Sequence, residues 1–288
     1  LYLDKIMRIF FPLFFSNKFK NNCKEDIYKW ILERLNGEDG LGGIFPAMVN
    51  TLIALRIDET NRFEKEIKIC KKSIDNLIVE EKKKAYCQPC VSPIWDTGWM
   101  GHVLLEKGDE NVTELVDWFL KKEIKIKGDW AINKKKENIG GWAFQFNNDF
   151  YPDVDDTALV GMFLDRYNRK VKKKKIIDCL ERTRRWIISM QSKNGGWGAF
   201  DIDNNKAYLN AIPFADHGAL LDPPTVDVSA RCLSFLIQQN DKRNELSIQK
   251  GLKYVLSEQE KDGSWFGRWG TNYIYGTWST LCALNLLD

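Results

Sequence analysis

Along this chain the apolar positions recur at three- and four-residue spacing rather than at every second residue. Residues 157–167, 226–238 and 277–287 show it most clearly. That spacing predicts amphipathic helices, and no clear strand alternation competes with it. Between the helical stretches a signature repeats. Trp186-Ile-Ile-Ser-Met-Gln191-Ser-Lys-Asn-Gly-Gly-Trp197 lines up with Tyr254-Val-Leu-Ser-Glu-Gln259-Glu-Lys-Asp-Gly-Ser-Trp265. Each is a helix end carrying Gln, then a glycine-containing turn, then Trp. A weaker copy runs from Trp118 and Glu123 to Gly128-Asp-Trp130, and another, with both signature residues replaced, from Trp30 and Leu35 to Gly40-Leu-Gly-Gly43. Trp130, Trp197 and Trp265 are almost evenly spaced, as expected of a repeat architecture. A glutamine amide bonds exposed helix-end backbone groups while an indole stacks over it, which ties successive helices together. The expected fold is all-α, an α/α barrel or toroid of repeated helix pairs.

Composition narrows the function classes. The 288 residues are 44% hydrophobic and 29% charged, as in an ordinary globular protein. A net charge of +3 gives no reason to expect nucleic acid, and the lysine runs at 82–84, 134–136 and 172–175 read as solvated loops and helix ends. Seven scattered cysteines suit a reducing compartment better than a disulfide framework. Cys87-Gln-Pro-Cys90 has the spacing of half a zinc or redox site, but no second pair exists and His102 and His217 are the only histidines, so these cysteines read as structural. The apolar run Met7-Arg-Ile-Phe-Phe-Pro-Leu-Phe-Phe15 is too short to cross a bilayer and reads as a buried helix or an interfacial anchor. A chain that begins at Leu1 and stops at Asp288 behind an apolar run suggests a part, or a shortened copy, of a longer protein.

The chemistry-bearing stretch is Tyr151-Pro-Asp-Val-Asp-Asp-Thr-Ala158. Asp153, Asp155 and Asp156 crowd a predicted helix start, and carboxylates so close repel, which holds a proton on at least one of them. Upstream, Gly140-Gly-Trp-Ala-Phe-Gln-Phe146 supplies aromatic faces, which stabilise cations. An acid beside such a wall suggests carbocation chemistry. A helix cap reads the same residues without any chemistry; a calcium loop would need a glycine turn and a closing Glu that do not follow.

With those residues in hand, the sequence resembles the squalene–hopene cyclases. The Gln–Gly–Trp repeats look like the QW motifs of triterpene cyclases, and Asp153-Val-Asp-Asp-Thr-Ala158 looks like their Asp-x-Asp-Asp-Thr-Ala motif. Gly42-Gly-Ile-Phe-Pro46, Cys87-Gln-Pro-Cys-Val-Ser-Pro-Ile-Trp-Asp-Thr97, Asp222-Pro-Pro-Thr-Val-Asp-Val-Ser-Ala-Arg231 and Gly267-Arg-Trp-Gly-Thr-Asn-Tyr-Ile-Tyr-Gly276 extend the match across roughly residues 23–288. The resemblance implies two α-barrel domains around an apolar cavity: residues 1–88 as a remnant of the N-terminal barrel and 89–288 as the first part of the catalytic one. It implies squalene as substrate, a hopene-type pentacyclic product, and a monotopic protein on the cytoplasmic side of the cell membrane. Asp155 is then the general acid, Asp153 its ionised neighbour and Asp156 the completion of the motif. Arg231 stands where relatives carry His or Arg and is expected to keep Asp153 charged, with Asp227 one turn earlier orienting it; apart from the resemblance, Asp227 and Arg231 read as an ordinary surface pair. Trp95, Phe144, Phe200, Trp269 and Tyr275 are the cavity aromatics, Phe200 standing where some relatives carry Tyr. No cofactor and no metal are called for, because the acid supplies the initiating proton.

Against the family pattern, the outer N- and C-terminal portions are missing, and between Ser16 and Cys23 the chain skips a segment that includes the membrane-inserting element. Two other readings therefore stand beside the cyclase. One is a relict of a shortened or split gene without activity of its own; the other is an all-α scaffold binding an apolar ligand or partner. A homodimer, or complementary fragments supplied separately, also stay open. Diterpene cyclases share the acid motif, but their diphosphate substrate calls for a basic pocket that is not evident near it.

Overall fold

The computed structural model describes residues 5–6, 8–10, 16–109, 112–132, 138–211 and 220–287. The chain divides into two compact units, Leu1–Val91 with Ala207–Leu220, and Ser92–Lys206 with Leu221–Asp288. In the first, α1 (Asn17–Glu33), α2 (Phe45–Arg56) and α3 (Glu64–Asp75) precede a hairpin of β1 (Ile78–Glu81) and β2 (Lys84–Cys87). Ser16 caps α1 by accepting from the Phe19 amide at 3.2 Å. Tyr28, Ile31, Leu55, Phe63 and Cys70 form its small core. Antiparallel pairing of Ile78 with Cys87 and of Glu81 with Lys84 puts Lys82 and Lys83 in the turn. The hairpin was not legible as alternation because three of its four β1 residues and all of β2 are exposed, so no buried face imposes a period of two. Cys87 and Cys90 both carry free thiols. Of the apolar run 7–15, only Arg8, Ile9 and Phe10 are described; they are helical and exposed. No described helix is long and apolar enough to cross a membrane.

The second unit is all-α: α4 (Pro93–Glu106), α5 (Thr113–Lys122), α6 (Val154–Val171), α7 (Lys174–Ser189), α8 (Val226–Gln238), α9 (Glu245–Ser257) and α10 (Asn272–Leu284). Helices α6 and α8 are buried on nearly every side, as inner helices are. They pack side by side, with α4 against the other flank of α6 and α10 against the other flank of α8. Helices α7 and α9 bury one face each and pack on α6 and α8 from outside. Close approach of the inner helices needs glycine. A Cβ on Gly101 would lie 2.7 Å from the Phe163 ring, and one on Gly161 would lie 2.6 Å from the Phe235 ring. These two interlocks are one device used twice.

Helix α8 has the bounds its apolar spacing predicts, whereas α6 and α10 begin earlier than expected. For α6 the cause is Asp153, whose extended backbone and side chain cap the helix and recruit Val154–Asp156 into its first turn. The helix stops at Lys172 in the left-handed conformation, with φ 51°.

The repeat is real, but one of its members is not the one its spacing suggests. The Trp197 indole N–H donates to the Ile187 carbonyl and that of Trp265 to the Val255 carbonyl, each at 2.8 Å. The residue that matches them is Trp142, which donates to the Phe119 carbonyl at 2.8 Å, and not Trp130. A longer loop between Glu123 and Trp142 displaces the tryptophan from its even spacing. Each Trp also donates its backbone N–H to a hydroxyl on the next inner helix: Thr157, Ser229 and Thr277, at 2.9 to 3.0 Å. Gln191 donates to the Gly195 and Ser247 carbonyls and Gln259 to that of Gly263, so the glutamines tie backbone as expected. At the third position Glu123 is buried and takes a two-pronged bond from Arg182 at 2.6 and 2.8 Å instead.

Candidate active site

The hydroxyls that receive the tryptophan amides set a common numbering for the inner helices. Two residues before Thr157, Ser229 and Thr277 stand Asp155, Asp227 and Tyr275, and Trp95 stands likewise two before Thr97. The first turns of α4, α6 and α10 deliver Trp95, Asp155 with Asp156, and Tyr275 to one cavity of about 370 Å³. Phe144, Asp153, Ala199, Val228, Trp269 and Gly270 complete its wall. The structure thus brings together Asp153, Asp155, Asp156, Trp95, Phe144, Trp269 and Tyr275 from the residues expected on sequence grounds. Phe200 lies one layer back, edge-on to Trp269 with ring centroids 6.4 Å apart. Asp227 is fully buried and outside the lining.

The three carboxyls are buried, but each has a different environment. Asp153 Oδ1 accepts the amides of Asp155 and Asp156 at 2.8 and 3.1 Å. Asp155 Oδ1 accepts from Arg231 Nε at 3.1 Å, and Arg231 Nη2 donates to the Tyr275 hydroxyl at 3.0 Å. Among the described residues, Asp156 Oδ1 has no hydrogen-bond partner. Burial, reinforced by the charge of Asp155, pushes Asp153 up to about 8, the two amide bonds opposing it. Burial also raises Asp155, but the Arg231 charge pulls it back to about 6. Asp156 is held well above the usual carboxylate range by burial, to which both neighbouring carboxylates add. Burial works against the Arg231 charge, and Asp155 and Tyr275 more than restore it.

Three expected roles are corrected here. Asp153 is not the ionised neighbour, because burial and the Asp155 charge push it up to about 8 with no cation among the described residues bonded to it. Arg231 pairs with Asp155 and not with Asp153, because Asp153 turns back to cap its own helix while Asp155 projects toward α8. Asp227 does not orient Arg231, nor is it a surface pair. Its Oδ2 accepts the Trp269 amide at 2.8 Å and its Oδ1 the Val228 amide at 3.0 Å, so it pins the loop that carries Trp269.

Sequence reasoning missed Trp99, Trp278 and Asp222. Trp99 lies one turn after Trp95, and Trp278 three residues after Tyr275; those spacings were the available signal. With Trp95, their rings lie over the Arg231 guanidinium at centroid distances of 5.6 Å (Trp95), 4.9 Å (Trp99) and 5.1 Å (Trp278). Asp222 accepts the amides of Ala199, Phe200 and Asp201 and so fixes the Ala199 part of the wall. His102 is a structural residue: burial lowers it to about 4 and leaves it neutral beside the Leu159 carbonyl and Arg166. His217 lies outside the described residues.

Comparison with known proteins gives this arrangement a context. The family model described as squalene-hopene cyclase C-terminal domain matches residues 91–288, and that of the squalene-hopene cyclase N-terminal domain matches residues 1–83. A squalene-hopene cyclase of Schizosaccharomyces japonicus is 50% identical over 268 residues, covering 89% of this chain and 40% of the relative. Those of Zymomonas mobilis and Bradyrhizobium diazoefficiens are each 46% identical, covering 99% of this chain and 45% and 44% of the relatives. The chain therefore spans less than half the length of these curated relatives.

Proposed function

The chain belongs to the squalene–hopene cyclase family, and on that premise we propose that it performs proton-initiated polycyclisation of squalene to a hopene-type pentacyclic triterpene. The observation that carries this reading is a cluster of three buried carboxyls, one of them paired with a caged cation, in the wall of a cavity with four aromatic side chains. Asp155 is the acid. Protonating an alkene leaves a carboxylate behind, and the carboxyl best suited to become one is that whose conjugate base already faces a guanidinium. Asp153 and Asp156 hold their protons more tightly and so keep the cluster's charge low.

In the reaction the Asp155 proton and the π pair of the terminal double bond form a C–H bond, leaving a tertiary cation. Each following double bond attacks the cation before it, and loss of a final proton gives a product isomeric with the substrate; capture by water gives the alcohol. The wall excludes water and presents π faces to the moving charge. Because squalene dissolves in lipid and not in water, we infer that the protein meets its substrate as a peripheral, monotopic protein on the cytoplasmic side of a membrane. Co-sedimentation with liposomes tests that part.

The deciding experiment incubates the detergent-solubilised chain with squalene and looks for pentacyclic product by mass spectrometry. Product that disappears in Asp155→Asn supports the reading. Product that persists in Asp155→Asn overturns the acid assignment, and no product from the folded chain overturns its activity as it stands.

A further inference from the structure

Arg231 is 4% exposed and has one anionic partner, Asp155, and one neutral one, the Tyr275 hydroxyl. A guanidinium carries five N–H donors and is costly to bury so thinly bonded. What surrounds the rest of it is aromatic. Trp95 and Trp99 come from α4 one turn apart, with their rings 5.7 Å apart. Trp278 comes from α10 and meets Trp99 at 5.6 Å and Tyr275 at 5.6 Å. Trp95 also lines the cavity, whereas Trp99 and Trp278 do not. Those two therefore serve the protein's own cation and not one travelling along a substrate. Trp278 is 41% exposed, so burial of apolar area alone does not account for a tryptophan there.

We propose that Trp99 and Trp278 are positioning residues that clamp the Arg231 guanidinium on Asp155 and Tyr275 and so decide which of the three neighbouring carboxyls receives the positive charge. This rests on Asp155 being the acid. An arginine side chain is long enough to be shared among Asp155, Asp153 and Asp156; contact with two indoles from two helices, at 4.9 and 5.1 Å and with the rings tilted 44° to each other, removes that freedom by walling the guanidinium on two sides. The charged and titratable groups around the pair are Asp153, which caps α6, Asp156 on α6, Asp227 and Cys232 on α8, Tyr275 on α10 and His102 on α4. None of them is a second cation able to replace Arg231, since His102 is neutral.

The test follows the carboxyl stretch of protonated aspartate by infrared difference spectroscopy against pH, with Asp155→Asn identifying the Asp155 band. Trp99→Leu and Trp278→Leu should each raise the Asp155 midpoint by about one pH unit, a tenfold change in its ionisation. Trp99→Phe and Trp278→Phe should give smaller shifts, since phenyl holds cations less well than indole. In an Arg231→Ala background the same changes should move nothing. If the Leu variants keep their helical circular dichroism and the midpoint stays, the clamp is overturned; if they do not fold, the Phe variants decide in the same way. The readout needs no turnover. An unmoved midpoint in a chain that cyclises squalene removes the clamp alone, and a moved midpoint in a chain that does not removes the cyclase reading alone.

Discussion

Arg231 and Asp155, 76 positions apart in sequence, meet at 3.1 Å inside the helical unit and make its buried ion pair beside the cavity. The pair fixes the order of acidity among the three carboxyls. A carboxyl facing a fixed cation gives up its proton more readily than one facing only amides, as in Asp153, or no donor among the described residues, as for Asp156 Oδ1.

The rate of cyclisation should therefore fall as pH rises through about 6, where Asp155 loses its proton. Asp155→Asn should lower the rate by about 1,000-fold or more, in line with loss of a general acid. Arg231→Lys keeps the charge but not the planar fork, and should slow the reaction while moving the alkaline limb upward. Product formation across a pH series measures all three.

Stability should fall with rising pH for a related reason. Asp153 titrates near 8 when folded and near 4 when unfolded, so between those values the folded state holds a proton that the unfolded state does not. That contribution is complete below about pH 4 and lost by about pH 8. Asp153→Asn removes the titration yet remains a good helix cap. Its melting temperature should vary less than that of the natural protein over this range and exceed it at the alkaline end, which calorimetry would register.

Asp227→Ala leaves the Trp269 and Val228 amides without their acceptor. The expected cost is about 1–3 kcal/mol, together with faster hydrogen exchange at the Trp269 amide. The Asp155 midpoint should fall, since the Asp227 charge raises it.

Trp142→Phe and Trp197→Phe should each destabilise the helical unit by about 1–3 kcal/mol, because each loses a buried indole hydrogen bond, to the Phe119 or the Ile187 carbonyl, and leaves a small void. Urea unfolding of the two variants measures whether Trp142 is a full member of the repeat.

The helical period gave α8 to the residue and located α6 and α10, because their buried faces are continuous and an apolar stripe records them directly. The repeat was legible wherever Gln and Trp are close, at 191–197 and 259–265. It was misread at Trp130, because an insertion moves Trp142 away from even spacing while leaving its bonds intact. The acid cluster and four of the five aromatics were legible as types and by family likeness. Their partners were not. That Arg231 reaches Asp155 and not Asp153 depends on Asp153 bending back to cap α6, a choice made by one side-chain torsion. Asp227 looked like an i,i+4 partner of Arg231, but the loop of Trp269 competes for its oxygens and wins.

The equivalence of Trp95, Asp155, Asp227 and Tyr275 has a wider meaning. Successive copies of one structural module carry the same address near the start of each inner helix: at three of them it opens on one cavity with an indole, a carboxyl and a phenol, and at the fourth the Asp227 carboxyl turns to the backbone of the Trp269 loop instead. Replacing the side chain there alters the chemistry of the enclosure and leaves the indole ties that hold the modules together untouched. A scaffold of this kind can diversify one letter at a time, and the spelling at that address is where relatives of different specificity should first diverge.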